Sequence, residues 1–312
     1  MNIRRVEDLL GAAQAAGHRW RLSVAAPHDA SVFGAVAQAC DLGFAEAVLF
    51  GQRDAMARAA RDSGADLRDA HYTIVETADD TATAREAARC AHEGRADVLV
   101  KGLTPTGMLL RAVLSHEVGL RSSRLLSHIG VFNEPTSGRL MLLTDAGVNI
   151  APNVHRKVQI VRNAVAVARA MGIAHPRVAM LAATETLNYP AMPATLDAVL
   201  VSRIASSGAV PDASVEGPFA LDNAVSPASA DKKRIAGDVA GRADILCAPE
   251  IETANVLYKA LQIYCSVTFA SVVVGASRPI AVPSRVDSLQ SKLMSLALAC
   301  LLSGNPCTAS SS

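Results

Sequence analysis

Short apolar runs alternate with longer alanine-rich segments through most of the chain. Runs at 21–25, 45–50, 72–75 and 96–100 predict strands, and the segments 29–42, 54–62 and 80–92 between them predict helices. Residues 77–80 offer caps for the third helix, Gly51 closes the second strand, and Lys101-Gly102 ends the fourth. The middle of the chain changes character. Segments 127–133 and 139–143 read as adjacent strands joined by Glu134-Pro135-Thr136-Ser137-Gly138, a turn-rich stretch expected to make an antiparallel arm. A polar loop at 145–152 opens a long helix at 154–171. Alternation then resumes, with strands at 177–182, 213–216, 244–248 and 271–276 and helices at 193–206, 229–239 and 253–264. A last apolar run, 280–282, breaks at Pro283 before an apolar helix at 292–302. Strands and helices alternating at this pitch predict an α/β fold of mostly parallel sheets covered on both faces, in two lobes with a cleft between them. No internal repeat of fixed period interrupts the pattern.

Composition narrows the function. Half of the 312 residues are apolar, enough to bury a large core, and a formal net charge of +1 with 4% aromatics argues against a nucleic-acid groove. The longest nearly charge-free run, 263–282, contains Arg278, and the N-terminus carries Arg4, Arg5, Glu7 and Asp8, so neither a membrane span nor a secretory signal is expected. The expectation is a cytoplasmic protein. Cys40, Cys90, Cys247, Cys265, Cys300 and Cys307 form no C-x-x-C pair and read as buried free thiols of a reducing compartment. No His/Cys pair has zinc-ligand spacing, and no metal is expected.

Standard fingerprints are missing: no G-x-G-x-x-G follows a strand, and there is no P-loop, nucleophile elbow or H-E-x-x-H helix. Of the eight histidines, most fall near element ends and read as surface, whereas His128 begins an apolar strand and is kept as a candidate. The chemistry concentrates instead at four strand ends. Lys101-Gly102-Leu103-Thr104-Pro105-Thr106-Gly107 offers a cation, a glycine and two hydroxyls that suit an anion, or a helix capped by Thr104. Asp145 to Asn149 crowds Asp, Gly and Asn into a loop longer than a plain strand–helix connection. Gly217-Pro218 is followed by Asp222-Asn223, read either as a cap or as site residues. Ser284-Arg285-Val286-Asp287-Ser288 brings a hydroxyl, a guanidinium fork and a carboxylate to the start of a helix, where the alternative is a capped turn with a solvated arginine. Four such ends in one α/β chain point to a site built at strand carboxyl ends for transfer chemistry done by positioning and electrostatics.

Taken together, Val98-Leu99-Val100-Lys101-Gly102, Ser127-His128-Ile129-Gly130-Val131-Phe132, Thr144-Asp145 through Asn149-Ile150-Ala151-Pro152, Gly217-Pro218-Phe219-Ala220-Leu221-Asp222-Asn223-Ala224, Ala254-Asn255-Val256-Leu257-Tyr258-Lys259 and Ser284-Arg285-Val286-Asp287-Ser288 resemble the phosphate acetyltransferase and phosphate butyryltransferase family. Ser127-His128 and the Ser-Arg-x-Asp-Ser run are closer to the butyryl branch. The resemblance implies reversible transfer of a short acyl group, acetyl or butyryl, between coenzyme A and inorganic phosphate, by direct thiolate attack on an acyl phosphate. It also implies a two-lobed fold like isocitrate and isopropylmalate dehydrogenases, with 1–126 plus 284–312 as one lobe and 127–283 as the other, usually a homodimer. Coenzyme A, acyl-CoA, phosphate and acyl phosphate are the expected partners, coenzyme A acting as substrate, with no cofactor tightly bound and neither nucleic acid nor membrane. Ser284 and Arg285 match the acetyl branch's catalytic pair. The branch's thiol-activating aspartate falls at Ser291, leaving Asp287 as the nearest acid and the candidate base. Lys101, Gly102, Thr104, Thr106, His128, Asp145, Asn149, Asp222 and Asn223 are the candidate substrate-binding residues. Two alternatives share the pattern: a metal- and NAD(P)-dependent dehydrogenase on the same fold, and a non-catalytic protein that binds coenzyme A or acyl phosphate.

Overall fold

A computed structural model of the protein describes residues 1–122 and 125–304. From the N-terminus the elements are α1 (Asp8–Ala15), β1 (Trp20–Ala25), α2 (Ala30–Asp41), β2 (Ala45–Gly51), α3 (Arg53–Ser63), β3 (Tyr72–Glu76), α4 (Asp80–His92), β4 (Val98–Lys101) and α5 (Thr106–Val113). There follow β5 (Ser127–Asn133), β6 (Leu140–Thr144), α6 (Val154–Ala170), β7 (Arg177–Leu181), α7 (Pro193–Ile204), β8 (Ser214–Phe219), α8 (Leu221–Val225) and α9 (Pro227–Lys232). The chain closes with β9 (Ile245–Cys247), α10 (Ile251–Cys265), β10 (Phe269–Val274), β11 (Ile280–Ala281) and α11 (Leu289–Leu302). The α/β class read from the alternation is the class observed.

The chain gathers into two compact units. The first comprises Val6–Arg124 and Thr268–Ser312, the second Met1–Arg5 and Leu125–Val267. The return to the first unit was expected at 284, but it comes at 268, because β11 pairs parallel with β4 and antiparallel with β10 and so draws the whole hairpin in. Residues 1–5 go to the second unit, where the Ile3 amide donates to Met171 O at 2.9 Å.

In the first unit the strand order is β3-β2-β1-β4-β11-β10, parallel except for the last pair. Its core helix is α11, in which every residue from Ser291 to Leu302 is buried against β10, α2 and α1. A helix apolar on all sides has no solvent face to offer, which is why it lies inside. In the second unit the order is β5-β6-β9-β7-β8, with only β5–β6 antiparallel. The expected antiparallel pair is present but is no arm. β6 also pairs with β9, and β5 and β6 are buried almost throughout, as inner strands of continuous apolar sequence are.

One predicted helix is cut short. Instead of a helix over 229–239, α9 ends at Lys232 and the chain unwinds through Arg234 (φ 56°) and Gly237 (φ +133°). The Glu216 carboxylate accepts the Asp238 and Val239 amides at 3.0 and 3.2 Å, and a Cβ at residue 237 would meet Glu216 Oε2 at 2.3 Å. The carboxylate takes the amides that a helix would have used, and only glycine leaves room for it.

Four of the cysteines, Cys40, Cys90, Cys247 and Cys300, are buried free thiols, and burial pushes Cys40 and Cys247 up to about 12. Cys265 departs from the expectation: it ends α10 and is exposed. Cys307 lies outside the described residues. Among the described residues no helix is long and apolar enough to cross a membrane.

Candidate active site

Parallel pairing puts the polar strand ends of each unit on one sheet edge. In the first unit β4 and β11 are neighbours, so the stretch after Lys101 and the stretch after Pro283 leave the sheet side by side. Lys101 is 7% exposed and its ammonium donates to Gly102 O at 3.0 Å. Burial lowers its pKa and the nearby charges of Arg285 and Lys292 lower it further, while Asp287 opposes them. Gly102 holds the turn closed: its amide donates to Ala25 O at 2.8 Å, and a Cβ there would meet Ala26 O at 2.1 Å and Ala25 O at 2.6 Å. Those are backbone atoms that cannot step aside. Gly102→Ala is therefore expected to displace the Lys101 turn, lowering turnover by about tenfold or more if the turn lines the active site, on the scale by which small misplacements cost catalysis. Unchanged kcat and melting temperature would contradict that.

The capping alternative for Thr104 does not hold. α5 begins at Thr106 with Pro105 at its N-cap and no side-chain cap, and Thr104 is buried with its hydroxyl 3.5 Å from Ala25 O. Thr106 is exposed at the first turn of α5.

Ser284 to Asp287 form a closed turn. The Ser284 amide donates to Asp287 Oδ2 at 2.7 Å and the Asp287 amide returns to Ser284 O at 3.1 Å. Asp287 is buried, whereas Arg285 is exposed, its guanidinium reaching Leu103 O at 3.5 Å. Ser288, not Ser284 or Asp287, caps α11, its hydroxyl accepting the Ser291 amide at 3.1 Å. Sequence reasoning missed the residue that holds this turn from beneath. Lys292 is 1% exposed, and its ammonium donates to Asp287 O at 2.5 Å and lies 3.4 Å from Arg285 O. Burial lowers its pKa against the opposing pull of Asp287 and Asp29. Asp29 caps α2, and although burial would raise its pKa, hydrogen bonds from Ser31 and Val32 and the charge of Lys292 bring it below the ordinary value. Three cations, Lys101, Arg285 and Lys292, thus surround one turn.

In the second unit β6, β9, β7 and β8 run parallel, so their carboxyl ends share an edge, and antiparallel β5 brings its first residues to the same edge. His128 is buried there, edge-on to Tyr258 at 6.0 Å, with Gly147 against its ring. Asp145 organises its loop. One carboxylate oxygen accepts the Gly147 and Val148 amides at 2.9 Å each, and the other accepts the Asn149 amide at 3.3 Å and side chain at 2.7 Å. Asn149 also donates to Leu126 O at 2.8 Å, tying the loop to the entry of β5. At the end of β8, Asp222 is exposed, while Asn223 is fully buried and donates to Glu185, which Lys233 also engages at 3.0 Å. Glu185 is a further residue the sequence did not single out. Among the described residues no three His, Cys, Asp or Glu side chains group as metal ligands.

The family described as "Phosphate acetyl/butaryl transferase" matches residues 79–300. The chain belongs to this family. It is 40% identical over 285 residues to a phosphate butyryltransferase of Clostridium acetobutylicum, spanning 91% of this chain and 94% of that protein. It is 36% identical over 293 residues to a phosphate acetyltransferase of Thermotoga maritima, spanning 94% and 98%. A branched-chain phosphotransacylase from Enterococcus faecalis V583 has the same fold, with a TM-score of 0.78 and 31% identity over 92% of this chain and 99% of that one. The family anticipated from the strand-end motifs is the one that matches.

Proposed function

We propose that the edge bearing Lys101 and the Ser284–Asp287 turn binds the phosphoryl group in this phosphate acyltransferase. The enzyme transfers a short acyl group between coenzyme A and inorganic phosphate. The observation that carries the placement is the convergence of Lys101, Arg285 and Lys292 on one closed turn beside the Gly102 backbone. In the forward direction the thiolate of coenzyme A attacks the acyl-phosphate carbonyl. The C–S bond forms, the carbonyl electrons pass to an oxyanion, and the C–O bond to phosphate breaks as phosphate leaves. In reverse a phosphate oxygen attacks the thioester and the thiolate departs.

Arg285 holds the phosphate through its fork of donors and offsets the oxyanion, and Ser284 donates a hydrogen bond. Asp287 was the candidate base, but its carboxylate accepts the Ser284 amide and closes the turn. We assign it the upkeep of that geometry. A thiol of pKa about 8.5 is a few per cent ionised at neutral pH, and three neighbouring cations favour the thiolate without a dedicated base. His128 and Asn149, with the loop that Asp145 organises, are assigned to coenzyme A, as are Asp222 and Asn223. The homodimer and the cytoplasmic setting implied by the resemblance belong to this reading.

The reading predicts phosphate-dependent release of free thiol from acetyl- and butyryl-CoA, and no such release from either would end it. It also carries a pH signature. Lys101 is held below the ordinary lysine value, so its charge is lost as pH rises at a lower pH than in a free lysine. The KM for phosphate is expected to climb on the alkaline side below about pH 10.4, and Lys101→Arg, charged throughout, to push that climb to higher pH. Coincident alkaline limbs in enzyme and variant would remove Lys101 from the phosphate site.

A further inference from the structure

The second unit carries a pocket of about 530 Å³ that none of the roles assigned above uses. Arg139 stands just before β6, Arg177 opens β7, and Gly241-Arg242 lead into β9. These three strands are parallel, so the three arginines gather at their amino ends, a strand's length from the edge that holds Asp145. The β5–β6 turn adds Glu134 and Ser137 to the lining, and the α8–α9 junction adds Val225 and Pro227. Gly241 (φ +70°) lets the walls close, because a Cβ there would meet Pro227 Cα at 2.6 Å.

The carboxylates here are already engaged, while guanidinium donors are left over. Glu134 accepts the Thr136 amide at 2.9 Å and the Ser137 amide and hydroxyl at 2.6 and 2.5 Å. Although burial would raise its pKa, these bonds bring it down to about 2. Behind the lining, Asp244 is 5% exposed and clamps Arg177 Nε and Nη2 at 2.9 Å each, with Arg139 Nη1 at 3.5 Å. Its hydrogen bonds, with the charge of the exposed Asp238, raise the pKa of Arg177. Arg139 Nη1 also donates to Arg242 O at 3.1 Å, so two forks are fixed before any ligand arrives. Among the described residues, Arg177 Nη1 and the exposed Arg242 guanidinium have no acceptor, and Arg139 Nη2 faces the weakly accepting Met141 sulfur at 3.9 Å. The Asp244 clamp accounts for Arg177 and Arg139 but leaves Arg242 without a structural task.

Three forks around one pocket suit the three terminal oxygens of a phosphate monoester better than a single carboxylate. The volume is that of a small organic ligand rather than a bare phosphate ion, and Val225 and Pro227 offer apolar surface to the body of an ester. The pocket also has a link to the other edge. The Gly241 amide donates to Asn223 O at 2.7 Å and the Ala243 amide to Ala224 O at 3.0 Å. The pocket wall and the short α8, which carries Asp222 and Asn223, are therefore one hydrogen-bonded body. A ligand that selects the closed pocket selects the α8 position seen here. We propose that this pocket binds a small organic phosphate monoester and that its occupancy favours coenzyme A binding through α8. The second half rests on the assignment of Asp222 and Asn223 to coenzyme A.

Calorimetric titration with phenyl phosphate, without turnover, tests both halves. Binding is expected to survive Arg285→Ala within about twofold, as independent sites do, and to weaken about tenfold or more in Arg242→Glu, the scale of a lost charged hydrogen bond. Circular dichroism melts check that the variants are folded, and Arg242→Ala serves should the charge reversal not fold. Saturating coenzyme A is expected to tighten the probe's dissociation constant about fivefold or more, at the low end of couplings between sites. No binding to the wild type overturns the site, as does binding lost in Arg285→Ala but kept in a folded Arg242 variant. Benzoate bound as tightly as phenyl phosphate overturns the ligand class. Weaker probe binding with coenzyme A present makes the pocket a seat for that molecule's own phosphates, which overturns an independent site. An unchanged dissociation constant overturns the coupling. If Asp222→Ala then binds coenzyme A like the wild type, the fault lies in the coenzyme A assignment beneath it.

Discussion

Arg285→Ala is expected to lower phosphate-dependent acyl transfer about a hundredfold or more while leaving the protein folded. The size follows from the role: removing one donor aimed at transition-state charge costs about 2.7–4 kcal/mol. The selectivity follows from the position. Arg285 is exposed, and among the described residues its guanidinium makes a long 3.5 Å approach to Leu103 O, so little packing is lost with the side chain. Substitutions of that kind ordinarily stay within about 0.5 kcal/mol in stability. Arg285→Lys separates charge from geometry. A lysine keeps the charge but loses the planar fork, and it is expected to recover only part of the rate, with a raised KM for phosphate. Thiol release followed across phosphate concentrations measures both constants. An Arg285→Ala enzyme turning over near the wild-type rate would return the residue to the solvated role that its sequence context also permitted.

The polar strand ends were legible because three local signals coincided: an apolar run that stops, a glycine or proline that turns the chain, and a cluster of hydroxyl, amide or charged residues after it. Such signals need no knowledge of neighbours. What the pattern could not deliver depends on partners distant in sequence. Segments 127–133 and 139–143 read as an arm because a turn-rich loop joins them, yet β6 is an inner strand through its pairing with β9, a hundred residues on. The helix expected over 229–239 gives way because Glu216, on another strand, captures the Asp238 and Val239 amides. Asp145 and Asp287 were legible as site carboxylates by composition alone. Only their hydrogen bonds reveal that each also shapes a loop. Lys292 was the largest omission. Within Leu289–Leu302 it reads as a solvated lysine on an apolar helix, and only the packing of α11 against β10, α2 and α1 turns it inward.

That inward lysine makes the second strong prediction. A buried ammonium is costly unless it is well bonded, and Lys292 serves the carbonyls of Asp287 and Arg285 rather than a carboxylate in direct contact. Lys292→Met removes the charge and its desolvation cost but leaves those carbonyls without their donor, each loss worth about 1–3 kcal/mol. The two effects oppose each other, so the melting temperature is expected to move by only a few degrees. Turnover is expected to fall much further. The backbone that aims Ser284 and Arg285 would lose its anchor, and a displacement of about 1 Å at a reacting centre costs on the order of a hundredfold. Lys292→Arg is not expected to rescue it, because every neighbour from Ser291 to Leu302 is packed and a planar guanidinium has no room to turn its donors onto both carbonyls. The comparison of kcat with melting temperature decides the matter. A folded Lys292→Met enzyme with kcat within twofold of wild type would show that the turn holds its shape without Lys292.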